Sequence, residues 1–185
     1  TLARLPRLTE FRSAGAEGIL VQPIAIEDLL GRAQNPLDRD AMRNFISGRR
    51  VLVTGAGGSI GSELVRQIGS FNPTRLTLLD HSEYALYVID REIAETFPTL
   101  QRDAVLADVR DRHRIASIVD QHRPDLVFHA AALKHVPLVE DNVSEGLLTN
   151  VTGTVNVADA CRDSNVAAMV HISTDKAVKP SSVMG

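Results

Sequence analysis

The fold is decided by the stretch Val51-Leu-Val-Thr-Gly-Ala-Gly-Gly-Ser-Ile-Gly61, in which a short apolar run leads into a glycine-rich turn. Residues 51–54 predict a buried β-strand, because the run is short, apolar and bounded by a turn. Residues 59–70 predict the helix that follows, with an inward stripe at i, i+4 and i+8 formed by Ile60, Leu64 and Ile68. A strand that passes through a glycine turn into a helix is typical of the beginning of a βαβ unit.

The glycines of this turn lie where a phosphate-binding turn needs them. Gly55 allows the tight bend, Gly58 lets the backbone approach a pyrophosphate, and Gly61 allows close packing of helix on strand. The N–H groups and the dipole of the helix N-terminus then face the anion. No Gly-Lys-Ser/Thr follows, which excludes a P-loop for nucleoside triphosphates. The turn therefore predicts a dinucleotide site, whose other expected contacts here are Thr54, Ser59 and Ile60.

The same alternation of strand and helix continues along the chain. Apolar runs predict further strands at residues 76–80, 104–107, 126–129 and 167–173. Helical patterns follow at residues 82–97, 112–122 and 137–163. Strands separated by helices of this length need crossover connections. The sequence therefore predicts an α/β fold, a Rossmann-like doubly wound parallel sheet.

Residues 1–48 differ from the rest, because proline and glycine punctuate them at irregular intervals. They predict only a short strand at 19–21 and helices near 26–30 and 37–46, so we interpret them as a linker or lead-in segment. Residues 49–185 are predicted to be the Rossmann domain. The chain begins without a methionine and stops within a motif described below, so we expect a truncation before the substrate-binding domain.

Composition excludes several classes of function. A hydrophobic content of 44% and a charged content of 23% are ordinary for a globular protein. The net charge of −3 gives no electrostatic case for nucleic acid, and no apolar run is long enough for a membrane span or a signal peptide. One cysteine excludes a disulfide framework, and no histidine stands in a metal-ligand motif. We therefore expect no metal, no nucleic-acid partner, and a reducing, cytoplasmic location.

Asp80 decides which dinucleotide the site prefers. It ends the second strand, 19 residues after Gly61, where a carboxylate can accept hydrogen bonds from the adenosine ribose hydroxyls. A 2′-phosphate would be repelled there and no arginine immediately follows, so NAD is favoured over NADP. The alternative role for Asp80 is to cap the helix that begins at Ser82. Asp108, followed by Val109, ends the third strand and is expected either at the adenine edge or as a helix cap.

Further motifs carry a resemblance to a known family. The motif Thr54-Gly-x-x-Gly-x-x-Gly61, Ala130-Ala-Ala132 after the fourth strand and Asn150 on the next helix resemble the extended short-chain dehydrogenase/reductase family. The resemblance implies that Ala130, Ala131, Ala132 and Asn150 belong to the cofactor site. More narrowly, residues 131–140 and the segment Ser173-Thr-Asp-Lys-Ala-Val-x-Pro-x-x-x-Met-Gly185 are similar to UDP-N-acetylglucosamine 4,6-dehydratases of surface-polysaccharide biosynthesis.

That resemblance implies a specific reaction. The C4 hydroxyl of a UDP-activated amino sugar is oxidised, the C5 proton is removed, water leaves from C6, and the hydride returns to C6. Lys176 would be the base at C5, Asp175 the acid at C6, and Thr174 a hydrogen-bond partner near C4. A lysine base needs a lowered pKa, through burial or neighbouring cations. The alternative for these residues is a polar turn with solvated charges.

Met184 departs from the wider family, which has a catalytic tyrosine at this position, and a thioether cannot carry a proton. The large, membrane-anchored dehydratases resemble this sequence in having methionine there. The resemblance therefore implies a parent anchored in the bacterial inner membrane, with this segment free of membrane contact and facing the cytoplasm. The acid/base at C4 stays unassigned, and the oligomeric state, including a homo-oligomer, stays open.

Two other functions remain open at this point. A 4-epimerase of the same superfamily would need no C5 base, which Asp175 and Lys176 argue against. A non-catalytic NAD-binding module is compatible with Met184. Among the remaining residues, Cys161, His129 and His171 are expected to be buried, and the pair Lys134-His135 is a candidate substrate or subunit contact.

Overall fold

The computed structural model describes residues 3–4, 22–23 and 38–185, of which residues 39–185 form one compact unit. Two short strands, β1 (Ala3–Arg4) and β2 (Gln22–Pro23), pair antiparallel. The strand predicted at 19–21 and the helix predicted near 26–30 lie outside the described residues. The helix predicted over 37–46 is observed as α1 (Arg39–Ile46).

Five parallel strands form the central sheet, as the alternating pattern predicts. In chain order they are β3 (Arg50–Thr54), β4 (Arg75–Asp80), β5 (Arg102–Leu106), β6 (Leu126–His129) and β7 (Ala168–His171). Their spatial order is β5-β4-β3-β6-β7. The chain thus builds outward from β3 in one direction and then returns to its other side. The crevice where the order reverses is where open α/β sheets bind ligands.

Helices cover both faces of this sheet. They are α2 (Ser59–Gly69), α3 (Glu83–Thr96), α4 (Arg112–His122), α5 (Val136–Asp141), α6 (Val143–Gly146) and α7 (Gly153–Asp163). Successive strand residues point to opposite faces, so Leu78 packs in one core with α2 and α3, and Leu79 in another with α4 and α7. Within residues 38–185 and the two short strands, no helix has the length and apolar character needed to cross a bilayer.

Three predictions about local structure are wrong. Ile60 is 53% exposed, because the buried stripe of α2 runs through Gly61, Val65 and Ile68 instead. The helix predicted over 137–163 is interrupted at Asn142, whose φ is −135°, and contains a π-helical segment, Leu147–Thr152. His171 is exposed, because its strand β7 is at the edge of the sheet.

Other predictions about the core are confirmed. Cys161 is buried, and burial raises the pKa of its thiol to about 11. His129 has no exposed surface. Helix α4 begins and ends at the predicted residues, and Ile115, Ile118 and Val119 form its buried side.

Candidate functional site

A cleft of about 350 Å³ opens at the carboxyl edge of the sheet. Its walls come from the segments that follow four neighbouring strands, β3, β4, β5 and β6. Residues predicted for the cofactor site that line the cleft are Gly55, Gly58, Asp80, Asp108, Val109, Ala130, Ala131 and Ala132. The parallel sheet brings these residues together because the ends of its strands lie side by side at one edge.

The tight bend after β3 depends on Gly55. Its φ is +66°, a left-handed value that side chains rarely adopt. A Cβ there would also lie 2.7 Å from the Cα of Ala131, inside van der Waals contact. The turn therefore passes directly against the segment that follows β6, and both form the same end of the cleft.

The remaining glycines of the turn differ in how much space there is for a Cβ atom. A Cβ on Gly61 would overlap the carbonyl oxygen of Gly55, and one on Gly57 would lie 2.5 Å from the Cβ of Ala85. A Cβ on Gly58 would meet only the Gly55 carbonyl oxygen, at 3.3 Å. Gly58 is thus the least confined of the glycines in this turn. Gly57 was missed by the sequence analysis, because its neighbour Ala85 lies on another helix.

Asp80 braces the glycine turn. The residue is buried, with 5% of its surface exposed. Its carboxylate accepts hydrogen bonds from the Gly57 N–H at 2.8 Å and from the Ser82 N–H at 2.9 Å. The alternative role as helix cap belongs to Ser82, whose hydroxyl accepts from the Ala85 N–H at 3.4 Å. Each carboxylate oxygen has a second lone pair, so Asp80 can still accept a hydrogen bond from a ligand in the cleft.

Asp108 lies in an ion-pair network just after the neighbouring strand β5. Its carboxylate accepts from the Arg110 backbone N–H at 2.9 Å and from the Arg110 Nε at 2.8 Å. The hydrogen bonds from Arg110 lower the pKa of Asp108. Arg110 also contacts Glu145 of α6 at 2.6 Å. Helix α4 is capped by Asp111 rather than by Asp108, so the capping alternative for Asp108 is wrong.

Asn150 holds the loop after β6. Its side-chain Oδ1 accepts from the Leu133 N–H at 2.8 Å, and its Nδ2 donates to the Leu133 carbonyl at 2.9 Å. It lies in the π-helical segment, and such segments are frequent at functional sites. The side-chain amide of Asn150 is thus hydrogen-bonded to the backbone of Leu133. Leu133 and Thr149 line the cleft.

Three more predicted contacts lie around the turn itself. Thr54 is buried at the end of β3, with an exposed fraction of 1%. Ser59 and Ile60 form the exposed first turn of α2, directly after Gly58. A helix of this length presents backbone N–H groups and a positive dipole end at its first turn.

The Thr174-Asp175-Lys176 segment follows β7 at the same edge of the sheet, in the one-turn 3₁₀ helix Asp175–Ala177. The Thr174 hydroxyl donates to the Asp175 carboxylate at 3.1 Å, and the Lys176 Nζ lies 3.5 Å from it. These contacts, the hydroxyl first, lower the pKa of Asp175. Its side chain is 91% exposed. The described residues thus favour a charged carboxylate, which is the opposite of what an acid at neutral pH needs.

The residues around Met184 fold back on this segment. The Val183 N–H donates to the Glu140 carboxylate of α5 at 2.7 Å. Gly185 lies so close to the Lys176 carbonyl oxygen that a Cβ there would overlap it. Met184 is therefore held between these two contacts, near the backbone of Lys176.

Comparisons with known proteins agree with this architecture. The sequence profile of the family described as "Polysaccharide biosynthesis protein" matches residues 51–185. The capsular polysaccharide biosynthesis protein CapD of Staphylococcus aureus is 41% identical over 185 residues, which is all of this chain and 31% of that protein. An inverting UDP-N-acetylglucosamine 4,6-dehydratase of Campylobacter jejuni (strain 81-176) is 33% identical, over 76% of this chain and 41% of that protein.

Epimerases and solved structures are similar to the same part of the chain. The UDP-glucose 4-epimerase of Rickettsia canadensis is 35% identical, over 74% of this chain and 40% of that protein. The structure of Pen from Bacillus thuringiensis matches 76% of this chain and 43% of its own, with 30% identity and a TM-score of 0.70. The dTDP-glucose 4,6-dehydratase DesIV of Streptomyces venezuelae, with NAD bound, matches 73% and 47%, with 28% identity and a TM-score of 0.62. The chain spans less than half the length of each of these proteins.

We predict that the two glycines nearest the helix start respond differently to an added methyl group. Gly61→Ala should lower the free energy of unfolding by at least about 2 kcal/mol, because its Cβ overlaps a backbone oxygen that cannot move freely. Gly58→Ala should cost less than about 1 kcal/mol, since its φ of −71° and ψ of 168° suit alanine. Urea denaturation of the two variants measures the difference. Equal losses would show that the turn is not packed as described.

Proposed function

Because the chain belongs to the polysaccharide biosynthesis protein family, we propose that it is the NAD-binding part of a nucleotide-sugar 4,6-dehydratase. The observation that carries this proposal is the cleft in which a glycine turn, a helix N-terminus and the buried carboxylate of Asp80 converge. In this proposal residues 49–185 are the NAD-binding domain and residues 1–48 a lead-in segment. NAD, when bound, supplies the hydride acceptor and donor.

The residues present fit such a dinucleotide. The side of the turn at Gly58 has room for close approach of a pyrophosphate, and Ser59 and Ile60 offer N–H groups there. Asp80 lies at the end of the neighbouring strand β4, where an adenosine ribose would lie. Ala130, Ala131 and Ala132 line the cleft beside the turn, and their small side chains leave space for a flat ring.

Asp80 supports NAD rather than NADP. Its carboxylate is held by two backbone N–H groups and cannot turn away from a ligand without losing them. A 2′-phosphate beside a fixed negative charge in a partly dry cleft is repelled. Arg110, which also lines the cleft, is already paired with Asp108 and Glu145.

We predict that NAD binds at least about tenfold more tightly than NADP, which corresponds to about 1.4 kcal/mol. Asp80→Asn keeps the shape of the side chain but removes its charge, so this preference should shrink. Asp141→Asn, which removes an exposed carboxylate that does not line the cleft, should leave the preference unchanged. Calorimetric titration with each nucleotide is the measurement. Equal or tighter binding of NADP by the unaltered chain would contradict the proposal.

The dehydration step is assigned to the segment after β7. Lys176 would take the C5 proton of a UDP-activated amino sugar, Asp175 would give a proton to the departing C6 hydroxyl, and Thr174 would hold the sugar near C4. Burial raises the pKa of a carboxyl group and lowers that of a lysine. Both roles therefore require that substrate and further protein cover these exposed side chains. The chain spans 31% of CapD and 41% of the Campylobacter dehydratase, so we propose that the missing cover comes from the rest of a longer parent.

Met184 narrows the proposal to the large dehydratases that carry methionine at this position. A thioether neither gives nor takes a proton, so another group must act at the C4 hydroxyl. We propose that the parent is anchored in the bacterial inner membrane with this domain on the cytoplasmic side. Self-association of the parent is compatible with these features.

Two observations favour other functions. The Rickettsia epimerase is as similar to this chain as the Campylobacter dehydratase, with 35% and 33% identity. A 4-epimerase, however, has no use for a base at C5 and an acid at C6. A non-catalytic NAD-binding module would explain Met184 and the solvated charges of Asp175 and Lys176.

We predict that Lys176→Ala in the longer parent lowers dehydration at least about 100-fold while C4 oxidation continues. The absorbance of reduced coenzyme should rise and not return, because without elimination C6 cannot accept the hydride. Asp175→Asn should also block dehydration but keep exchange of the C5 proton with deuterated solvent. The 185-residue chain alone should show no turnover, because in this proposal the groups that hold the sugar belong to the rest of the parent.

Lys179→Asn is the matched control. Lys179 is an exposed lysine three residues away, and its φ of +56° suits asparagine. It should leave turnover unchanged. Mass spectrometry of the 4-keto-6-deoxy product reports the rates. Normal turnover in both the Lys176 and Asp175 variants would sink the assignment and favour the solvated-turn interpretation.

A further inference from the structure

His129 ends β6 directly before the cleft-lining Ala130 and is the centre of a buried hydrogen-bond chain. Its Nδ1 lies 2.6 Å from the Thr54 hydroxyl, and its Nε2 lies 3.0 Å from the Thr154 hydroxyl. Thr154 in turn donates to the Asn150 carbonyl at 2.7 Å. The imidazole has no exposed surface, so water cannot replace any of these partners.

The direction of every proton in this chain follows from its last link. A carbonyl can only accept, so the Thr154 hydroxyl donates its proton to the Asn150 carbonyl oxygen. Thr154 must then accept from His129, which requires a proton on Nε2. The neutral ring accepts at Nδ1 from the Thr54 hydroxyl. The chain therefore runs from Thr54 through His129 and Thr154 to Asn150.

The same histidine contacts the segments that the proposed function uses. Thr54 begins the glycine turn, and Asn150 holds the loop after β6 through Leu133. The His129 carbonyl accepts from the Ile172 N–H at 3.0 Å, two residues before Thr174. The His129 ring also stacks on the ring of His171, with centroids 5.3 Å apart.

We propose that His129 is a positioning residue that sets the glycine turn and the loop after β6 relative to each other through its Nε2–H tautomer. Its effect on NAD binding rests on the proposed function, whereas its tautomer does not. Because it is buried and contacts no reacting atom, its ring acts through Thr54, Thr154 and Asn150 rather than on substrate.

Burial, and secondarily the charge of His171, lowers the pKa of His129 to about 4. Of the elements packed against the ring within the described residues, β7 presents the titratable His171, while β3 and α7 present hydroxyls. A histidine with a lowered pKa stabilises the fold fully above its unfolded pKa of 6.5, and this stability is lost as the pH falls toward about 4. Unfolding should therefore become easier across that window.

The test combines nitrogen NMR of the histidine rings with NAD titration. The wild-type chain should show His129 protonated at Nε2 and bare at Nδ1. Thr154→Val removes the acceptor, so the ring should shift toward the Nδ1 tautomer and NAD should bind about fivefold more weakly. Thr154→Ser keeps the hydroxyl and should behave as wild type. Thr152→Val, at an exposed threonine of the same helical run, is the matched control and should change neither readout.

Several outcomes would overturn the proposal. They are a wild-type ring protonated at Nδ1, an unchanged tautomer in Thr154→Val, or NAD affinity that is equal in the Val and Ser variants. If the wild-type chain binds no NAD, the proposed function fails, and the ring spectrum still decides the tautomer. If Thr154→Val does not fold, the second test is the pH dependence of urea unfolding, compared between wild type and His129→Gln. The loss of stability between pH 6.5 and 4 should be smaller in His129→Gln than in wild type, and an identical pH profile would contradict the proposal.

Discussion

The constraint on which this edge of the molecule depends is the absence of a Cβ at Gly55 and Gly61. Without side chains at these positions, the turn after β3 can lie against Ala131 on one side and the start of α2 on the other. Asp80 completes the arrangement by accepting the Gly57 N–H. The cleft forms because the glycine turn, the start of α2 and the segment after β6 lie closer together than side chains at Gly55 and Gly61 would permit.

Much of this could be predicted from sequence, because glycine spacing and apolar periodicity are local signals. The five parallel strands, the helix α4 and the place of Asp80 at a strand end all follow from them. The failures have a common cause in tertiary packing. Periodicity could not tell that α2 would turn Val65 rather than Ile60 inward, and the network of Arg110 with Glu145 joins residues 35 positions apart.

The carboxylate proposed for cofactor binding and the residues proposed for dehydration differ in burial. In the cleft the carboxylate of Asp80 is buried and held by backbone N–H groups. The residues proposed for dehydration are exposed, and the pKa of Asp175 is lowered rather than raised. His129 contacts both regions, through its ring at Thr54 and through its backbone carbonyl at Ile172, two residues before Thr174.

The most direct test of the central claim is to titrate the ¹⁵N-labelled chain with NAD and follow its backbone amide shifts. The account predicts saturable changes concentrated at residues 55–61, 80–82, 108–110 and 130–133. A second cleft, of about 300 Å³, lies at the opposite edge of the sheet and is lined by Arg123 and Asn165 among others. Changes concentrated there, or no saturable change at all, would contradict binding of NAD in the cleft at the carboxyl edge.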